Sequence, residues 1–230
     1  MSWLYDPVTK IWGRALPQEA LHTVRSCAGY SVSPYKGFRI ISVNNNYCNK
    51  DNYWLLLNAT DPCGTLQWLI SELQNAEDNN EKVHLLLHLP PGEAGCLMVW
   101  SHNFYDIINR YENTVVNQFY GHSHRDWFEL FYDTRDFQRP INFGFVAPAV
   151  TSIDRTNPVY RIYTVDGNYE GSSWAVIDYT NYFLNLTEAN LQEKATWTYA
   201  YNPKWYVTLN TDSYSCEDNS IYQLTKTAEH

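Results

Sequence analysis

Apolar positions along the chain switch between a helical and a two-residue period, and the switches mark out a set of elements. Ala20, Leu21 and Val24 give residues 17–25 a helix-compatible composition suited to packing. Residues 29–33 and 38–43 read as two strands joined by the turn Pro34-Tyr35-Lys36-Gly37, since proline presets φ at the second turn position and glycine accepts a positive φ. Asp61 and Pro62 predict a helix start, with an acceptor at the cap and proline in the first turn. Leu66, Leu69, Ile70 and Leu73 follow at helical intervals, and Asn79 and Asn80 end the run. Residues 82–88 are a strand with Leu85, Leu86 and Leu87 buried on both faces. Phe104, Ile107, Ile108, Tyr111 and Val115 make a second helical stripe, after which Gln118-Phe119-Tyr120 leads into Gly121. Residues 129–132, 142–146, 160–165 and 174–186 are rich in β-branched and aromatic side chains, with turn residues between them. They predict a largely antiparallel sheet with a final hairpin, followed by a helix beginning in 187–193.

The β-α-β rhythm in the first half and the strands of the second predict an α/β (α+β-like) sandwich with a mixed or antiparallel sheet and flanking helices. With 230 residues, 44% of them hydrophobic, one substantial core is expected. The expected organisation is one domain over 1–194 and a divergent, polar, Tyr-rich tail over 195–230, partly disordered.

Charge narrows the function classes. Sixteen Lys and Arg against 25 Asp and Glu give a net charge of −9, which argues against an electrostatic grip on a nucleic acid polymer but leaves lipid headgroups open. Nineteen Tyr and nine Trp suit sheets and cores, and clustered rings can also receive choline or sugars. No apolar run approaches the roughly 20 residues of a transmembrane helix, and Met1-Ser2-Trp3-Leu4-Tyr5-Asp6-Pro7 lacks the regions of a signal peptide. Asn58-Ala59-Thr60 and Asn185-Leu186-Thr187 are nevertheless glycosylation acceptors at Asn58 and Asn185. The five cysteines allow several pairings.

The candidate chemistry is metal-based. His88 stands at the end of a buried strand, where a rigid backbone meets a solvent-facing loop. His122 and His124 follow in Gly121-His122-Ser123-His124. In a short extended turn they would point to one side and serve neighbouring metals, which in two-metal hydrolases lie about 3.5–4 Å apart. Neutral imidazole is the commonest nitrogen ligand of zinc. His84, four residues before His88, reads as a core or supporting residue. In the polar run Asn44-Asn45-Asn46, Asn46 is a candidate for approaching a substrate.

The residues around these histidines add a resemblance. His88-Leu89-Pro90-Pro91-Gly92, Arg110-Tyr111-Glu112-Asn113-Thr114, Gly121-His122-Ser123-His124 and the stretch from Tyr160-Arg161-Ile162-Tyr163 through Asp166-Gly167-Asn168-Tyr169-Glu170-Gly171-Ser172-Ser173 resemble acid sphingomyelinase and its sphingomyelinase-like relatives, in order and interval. Tyr30-Ser31-Val32-Ser33-Pro34-Tyr35, Asn58-Ala59-Thr60-Asp61-Pro62 and Gln67-Trp68-Leu69 extend the likeness over residues 3–191. The resemblance implies the later portion of a metallophosphatase-type sandwich with two zinc ions, His88 and His122 on one and His124 on the other. It further implies an extracellular or lysosomal location, and a phosphodiester substrate, a sphingolipid at a membrane surface. The bridging Asp, the remaining ligands and the general acid would belong to a missing N-terminal half of the catalytic domain, so this chain alone is expected to be inactive. It also implies a Cys48–Cys96 disulfide, with Cys27 and Cys63 a second pair and Cys216 left over.

This sequence departs from the family pattern at three places. Leu87 replaces the usual Gly before the ligand histidine. Glu93-Ala94-Gly95 precedes Cys96 where the family has a compact Pro-Pro-Gly-His-Cys. Ile153 stands where acid sphingomyelinases have an aromatic residue, so it can pack against choline but offers no ring face to its charge. A relative acting on nucleotides or other phosphodiesters, and a non-catalytic binding or regulatory remnant of the fold, are the alternatives.

Overall fold

The computed structural model describes residues 2–57, 60–153 and 155–203. They form two compact units: the chain up to His122 together with Glu129–Phe145, and Ser123–Phe128 together with the chain from Val146 onward.

The first unit opens with α1 (Ser2–Trp12) and α2 (Leu21–Cys27), followed by β1 (Tyr30–Tyr35) and β2 (Phe38–Ser42). These strands pair antiparallel around Lys36 and Gly37, with Gly37 at φ 78°. Pro34 lies within β1, an edge strand, where the missing N–H costs no ladder bond. Next come α3 (Thr65–Asp78), β3 (Lys82–Leu86), α4 (Met98–Arg110), β4 (Val115–Tyr120), β5 (Trp127–Tyr132) and β6 (Pro140–Val146), of which Trp127, Phe128 and Val146 are grouped with the second unit. The sheet order is β1-β2-β3-β4-β6-β5, with β2, β3 and β4 mutually parallel, so the sheet is mixed.

Burial explains this arrangement. Leu66, Leu69, Leu73 and Ala76 of α3 and Trp100, Phe104, Ile107 and Ile108 of α4 join Ile41, Val83, Leu85 and Phe131 in one cluster. A parallel β-α-β connection covers its sheet with helices in this way. Asp61 does cap α3, but from a distance: a short 3-10 turn intervenes, and its carboxylate accepts from the N–H groups of Leu66 and Gln67 at 2.8 and 3.1 Å. The helical stripe ends sooner than its spacing predicts. α4 stops at Arg110, whose guanidinium grips Glu77 of α3 at 3.0 and 2.9 Å, and Val115 pairs with Val83 as the first residue of β4. A β-branched residue after a turn favours the strand.

The second unit contains β7 (Val159–Val165), β8 (Val176–Leu184), α5 (Leu186–Gln192) and β9 (Trp197–Tyr201). The three strands form an antiparallel sheet in the order β7-β8-β9. Tyr160 stacks on Tyr182 at 5.1 Å and meets the Trp197 ring at 4.8 Å. Folded structure therefore crosses the boundary expected at 195, because β9 supplies cross-strand partners to β8. Cys216 lies outside the described residues.

Candidate metal centre

His88 follows β3 and is held by its backbone. Asn45, which is buried, accepts the N–H groups of His88 and Leu89 on Oδ1 at 3.0 and 3.3 Å, and its Nδ2 donates to the Leu89 carbonyl at 2.6 Å. The carbonyl of His88 receives the Gly121 N–H at 3.0 Å, which brings the end of β4 alongside. One side chain thus fixes the turn that presents the imidazole.

His122 meets His88 edge to face, with ring centroids 5.2 Å apart and planes at 84°. Nδ1 of His122 lies 3.3 Å from Nε2 of His88. Two nitrogens bound to one tetrahedral zinc at ~2.0–2.1 Å stand about 3.3–3.4 Å apart. The separation matches that of two nitrogens sharing one metal ion, and as a direct imidazole–imidazole contact it is also of hydrogen-bond length. The other nitrogen, Nε2, is 4.0 Å from Oε1 of Glu93.

His122 and His124 do not lie on extended backbone. Their φ values are 67° and 58°, in the left-handed region, so the alternation expected of an extended turn does not apply to them. Such backbone costs of order 1–3 kcal/mol and persists where the surroundings impose it. His124 belongs to the second unit, and there the segment from Ser123 is tied down firmly. Ser123 Oγ accepts from the Arg125 N–H at 3.3 Å and from Trp127 Nε1 at 2.9 Å. Asp126 is ion-paired with Arg161, whose side chain is only 2% exposed, and accepts from Asn181 Nδ2 at 2.7 Å and from the Tyr201 hydroxyl. Arg161 Nε donates to Asn181 Oδ1 at 2.8 Å, and its guanidinium sits 3.8 Å over the Tyr179 ring. Burial opposes the charge of Arg161, and Asp126 more than offsets it, holding the guanidinium above its ordinary pKa.

Behind β4, Tyr120 donates to Gln118 Oε1 at 2.6 Å, and Gln118 donates to Asn142 at 2.8 Å. Burial, then the charge of Glu93, pushes the Glu129 carboxyl up to about 8. His84 packs between Phe38 and Phe119, with ring centroids at 4.7 and 5.2 Å.

Other candidates are scattered. Asn46 is exposed, and its carbonyl serves the local turn by accepting from Asn49 N and Asn52 Nδ2. Asn45 is the residue that reaches His88. Its signal was present in the alternation, since Ile41, Val43 and Asn45 share one parity and all three are buried. Ile153, in the second unit, is 74% exposed. Asn185 caps α5, accepting from Glu188 N at 3.1 Å, whereas Asn58 lies outside the described residues. Disulfides join Cys27 to Cys63 and Cys48 to Cys96, with Cα separations of 6.1 and 4.9 Å. Among the described residues, no group of three or more His, Cys, Asp or Glu is arranged to hold a metal ion. No helix among them is long and apolar enough to cross a membrane.

The family model for the acid sphingomyelin phosphodiesterase C-terminal region matches residues 139–229, running through the segment after 195 that the sequence led us to expect as divergent. The chain is 52% identical over 189 residues to the sphingomyelin phosphodiesterase of Homo sapiens, covering 82% of this chain and 30% of that protein. It is 44% identical over 211 residues to sphingomyelin phosphodiesterase 2 of Caenorhabditis elegans, covering 91% and 33%. Against the cyclic GMP-AMP phosphodiesterase SMPDL3A of Homo sapiens it is 33% identical over 243 residues, covering 98% and 51%. The chain thus spans about a third of the sphingomyelin phosphodiesterases it matches. A solved dimetal phosphatase from Danio rerio overlaps it with a TM-score of 0.43 at 13% identity, over 68% of this chain and 54% of that one, a likeness from which no function follows.

Proposed function

This chain belongs to the acid sphingomyelinase-like family, and on that premise we propose that it contributes the later part of a zinc-dependent sphingomyelin phosphodiesterase site. His88 and His122 would hold one zinc and His124 a second. The observation that supports this reading is the 3.3 Å separation of His88 Nε2 and His122 Nδ1, the spacing two ligands of one tetrahedral zinc would have. Bound zinc supplies an activated water and neutralises charge developing at phosphorus.

The residues of this chain have the task of presentation. Asn45 fixes the His88 turn, and the Gly121 N–H joins it to the turn bearing His122. Asp126, clamped by Arg161, anchors the segment that carries His124. Catalytic zinc usually takes three protein ligands. A pair of histidines on one ion and one on the other falls short of that, so the chain by itself should not turn over sphingomyelin. The family implies an extracellular or lysosomal setting, in which the Cys27–Cys63 and Cys48–Cys96 bonds and glycans on Asn58 and Asn185 would persist.

A second reading, cleavage of nucleotide phosphodiesters, is favoured by Ile153. Its exposed aliphatic side chain offers choline no ring face, and a relative in the comparison above is named for cyclic GMP-AMP. The test is to assay the purified, zinc-loaded chain against sphingomyelin, a cyclic dinucleotide and a small chromogenic phosphodiester at acidic and neutral pH. No turnover is expected on any of them. Zinc-dependent turnover abolished by His122→Ala would show that the chain holds a complete site.

A further inference from the structure

We propose that Glu93 is a positioning residue for His122, holding the Nε2–H of that imidazole so that Nδ1 is the nitrogen presented beside His88. The proposal rests on the metal-site reading above and extends it to a residue that reading does not use. Glu93 lies in the Glu93-Ala94-Gly95 segment between Gly92 and Cys96, where this chain departs from the compact family loop.

The two nitrogens of His122 face different partners. Nδ1 looks toward His88 Nε2 at 3.3 Å, and Nε2 lies 4.0 Å from Glu93 Oε1, within ion-pair reach. A metal-bound imidazole commonly gives its other N–H to a carboxylate, which fixes the tautomer and the ring orientation. The second oxygen of Glu93, Oε2, is buried and makes no hydrogen bond among the described residues. A carboxylate held partly out of water this way gains most from a donor on the neighbouring ring.

The loop carrying Glu93 is fastened at both ends, so its placement is built in. Gly92, at φ 89°, donates its N–H to Ser101 Oγ at 2.9 Å. The Glu93 carbonyl receives Cys96 N at 2.9 Å, and Gly95 O receives Lys50 N at 2.9 Å. Leu97 N donates to Cys48 O at 2.7 Å beside the Cys48–Cys96 bond. A Cβ built on Gly95 would sit 3.6 Å from His122 Nε2, so the loop backbone packs directly against the ring.

The experiment reads the His122 tautomer in the metal-free protein by long-range 15N–1H NMR, and zinc affinity by calorimetry, for the wild type, Glu93→Gln and Glu93→Leu. The wild type should carry its proton on Nε2, and both variants should move population toward Nδ1–H. Zinc binding should weaken about 10–100-fold, the range seen when such a partner is removed. Two variants of different polarity guard against a folding defect in one. A wild type protonated mainly on Nδ1, or a tautomer ratio unchanged in both variants, would overturn the proposal. Zinc affinity indifferent to His122→Ala, with the tautomer shift intact, would sink the metal reading and leave the Glu93–His122 coupling standing.

Discussion

Replacing Asp126 by Asn tests what fastens the segment that carries His124. The substitution keeps the shape and removes the charge, leaving the guanidinium of Arg161, whose side chain is 2% exposed, without its counter-ion. Removing one partner of a buried pair costs roughly 3–5 kcal/mol, because the other charge stays buried and uncompensated. Asn181 still accepts from Arg161 Nε and the Tyr179 ring still lies under the guanidinium, so the lower end of that range is expected. At about 2–4 °C per kcal/mol for a chain of this size, the melting transition should fall by roughly 6–12 °C. Urea titrations of Asp126→Asn, Arg161→Met and the double variant give the coupling directly. The double variant should be less destabilised than the sum of the singles by roughly 1–3 kcal/mol, since it leaves no orphaned charge. Single-variant losses under about 1 kcal/mol with an additive cycle would refute the idea that this pair anchors the segment.

Three further outcomes follow from the geometry. Asn45→Ala should cost roughly 2–4 kcal/mol in a urea melt, because it leaves the His88 and Leu89 N–H groups and the Leu89 carbonyl unpaired in a buried turn, whereas Asn46→Ala should be nearly silent. Gly144→Ala should destabilise by about 1–3 kcal/mol, since the added Cβ would lie 2.9 Å from the Tyr120 ring. Glu129 keeps its proton in the folded state up to about 8, while the unfolded chain releases it near 4.5. The folded protein therefore binds more protons in that window, and stability should fall as pH rises through it, by at most about 1.4 kcal/mol per pH unit. Glu129→Gln should flatten that slope in denaturation curves taken from pH 5 to about 8.

How much of this was legible in the sequence depended on how local the signal was. The two core helices and the strand between them announced themselves by period, because burying Leu69, Leu85 and Phe104 requires those spacings. Val115 continues the helical spacing in sequence yet opens β4 in the structure, because a residue four past Tyr111 looks the same whether the helix continues or a strand begins. α1 does carry apolar residues at helical intervals, Leu4, Val8, Ile11 and Trp12, with Pro7 in their midst. It is anchored at long range, by the Tyr5 hydroxyl against that of Tyr47 at 3.0 Å. β9 likewise depends on β8 for its pairing, so a Tyr-rich polar segment read as tail.

The site divided along the same line. His88 and His122 stand out by residue type, and their ring nitrogens lie 3.3 Å apart. Asn46 and Asn45 look alike by residue type, although carrying the alternation of Ile41 and Val43 on by two residues points to Asn45. Asp126 and Arg161 lie 35 residues apart, and no spacing rule links them. Glu93 looked like a mere loop departure because its partner is a ring 29 positions away. Backbone in the left-handed region at His122 and His124 is also not fixed by residue type, since histidine is only enriched there and glycine alone adopts it freely.

The central claim is that His88 and His122 share one zinc ion, and X-ray absorption of the zinc-loaded protein tests it most directly. The account predicts nitrogen scatterers at about 2.0–2.1 Å with the outer-shell signature of imidazole, reduced by His88→Ala and by His122→Ala alike. Zinc surrounded by oxygen alone, or an imidazole signal that survives both substitutions, would contradict it.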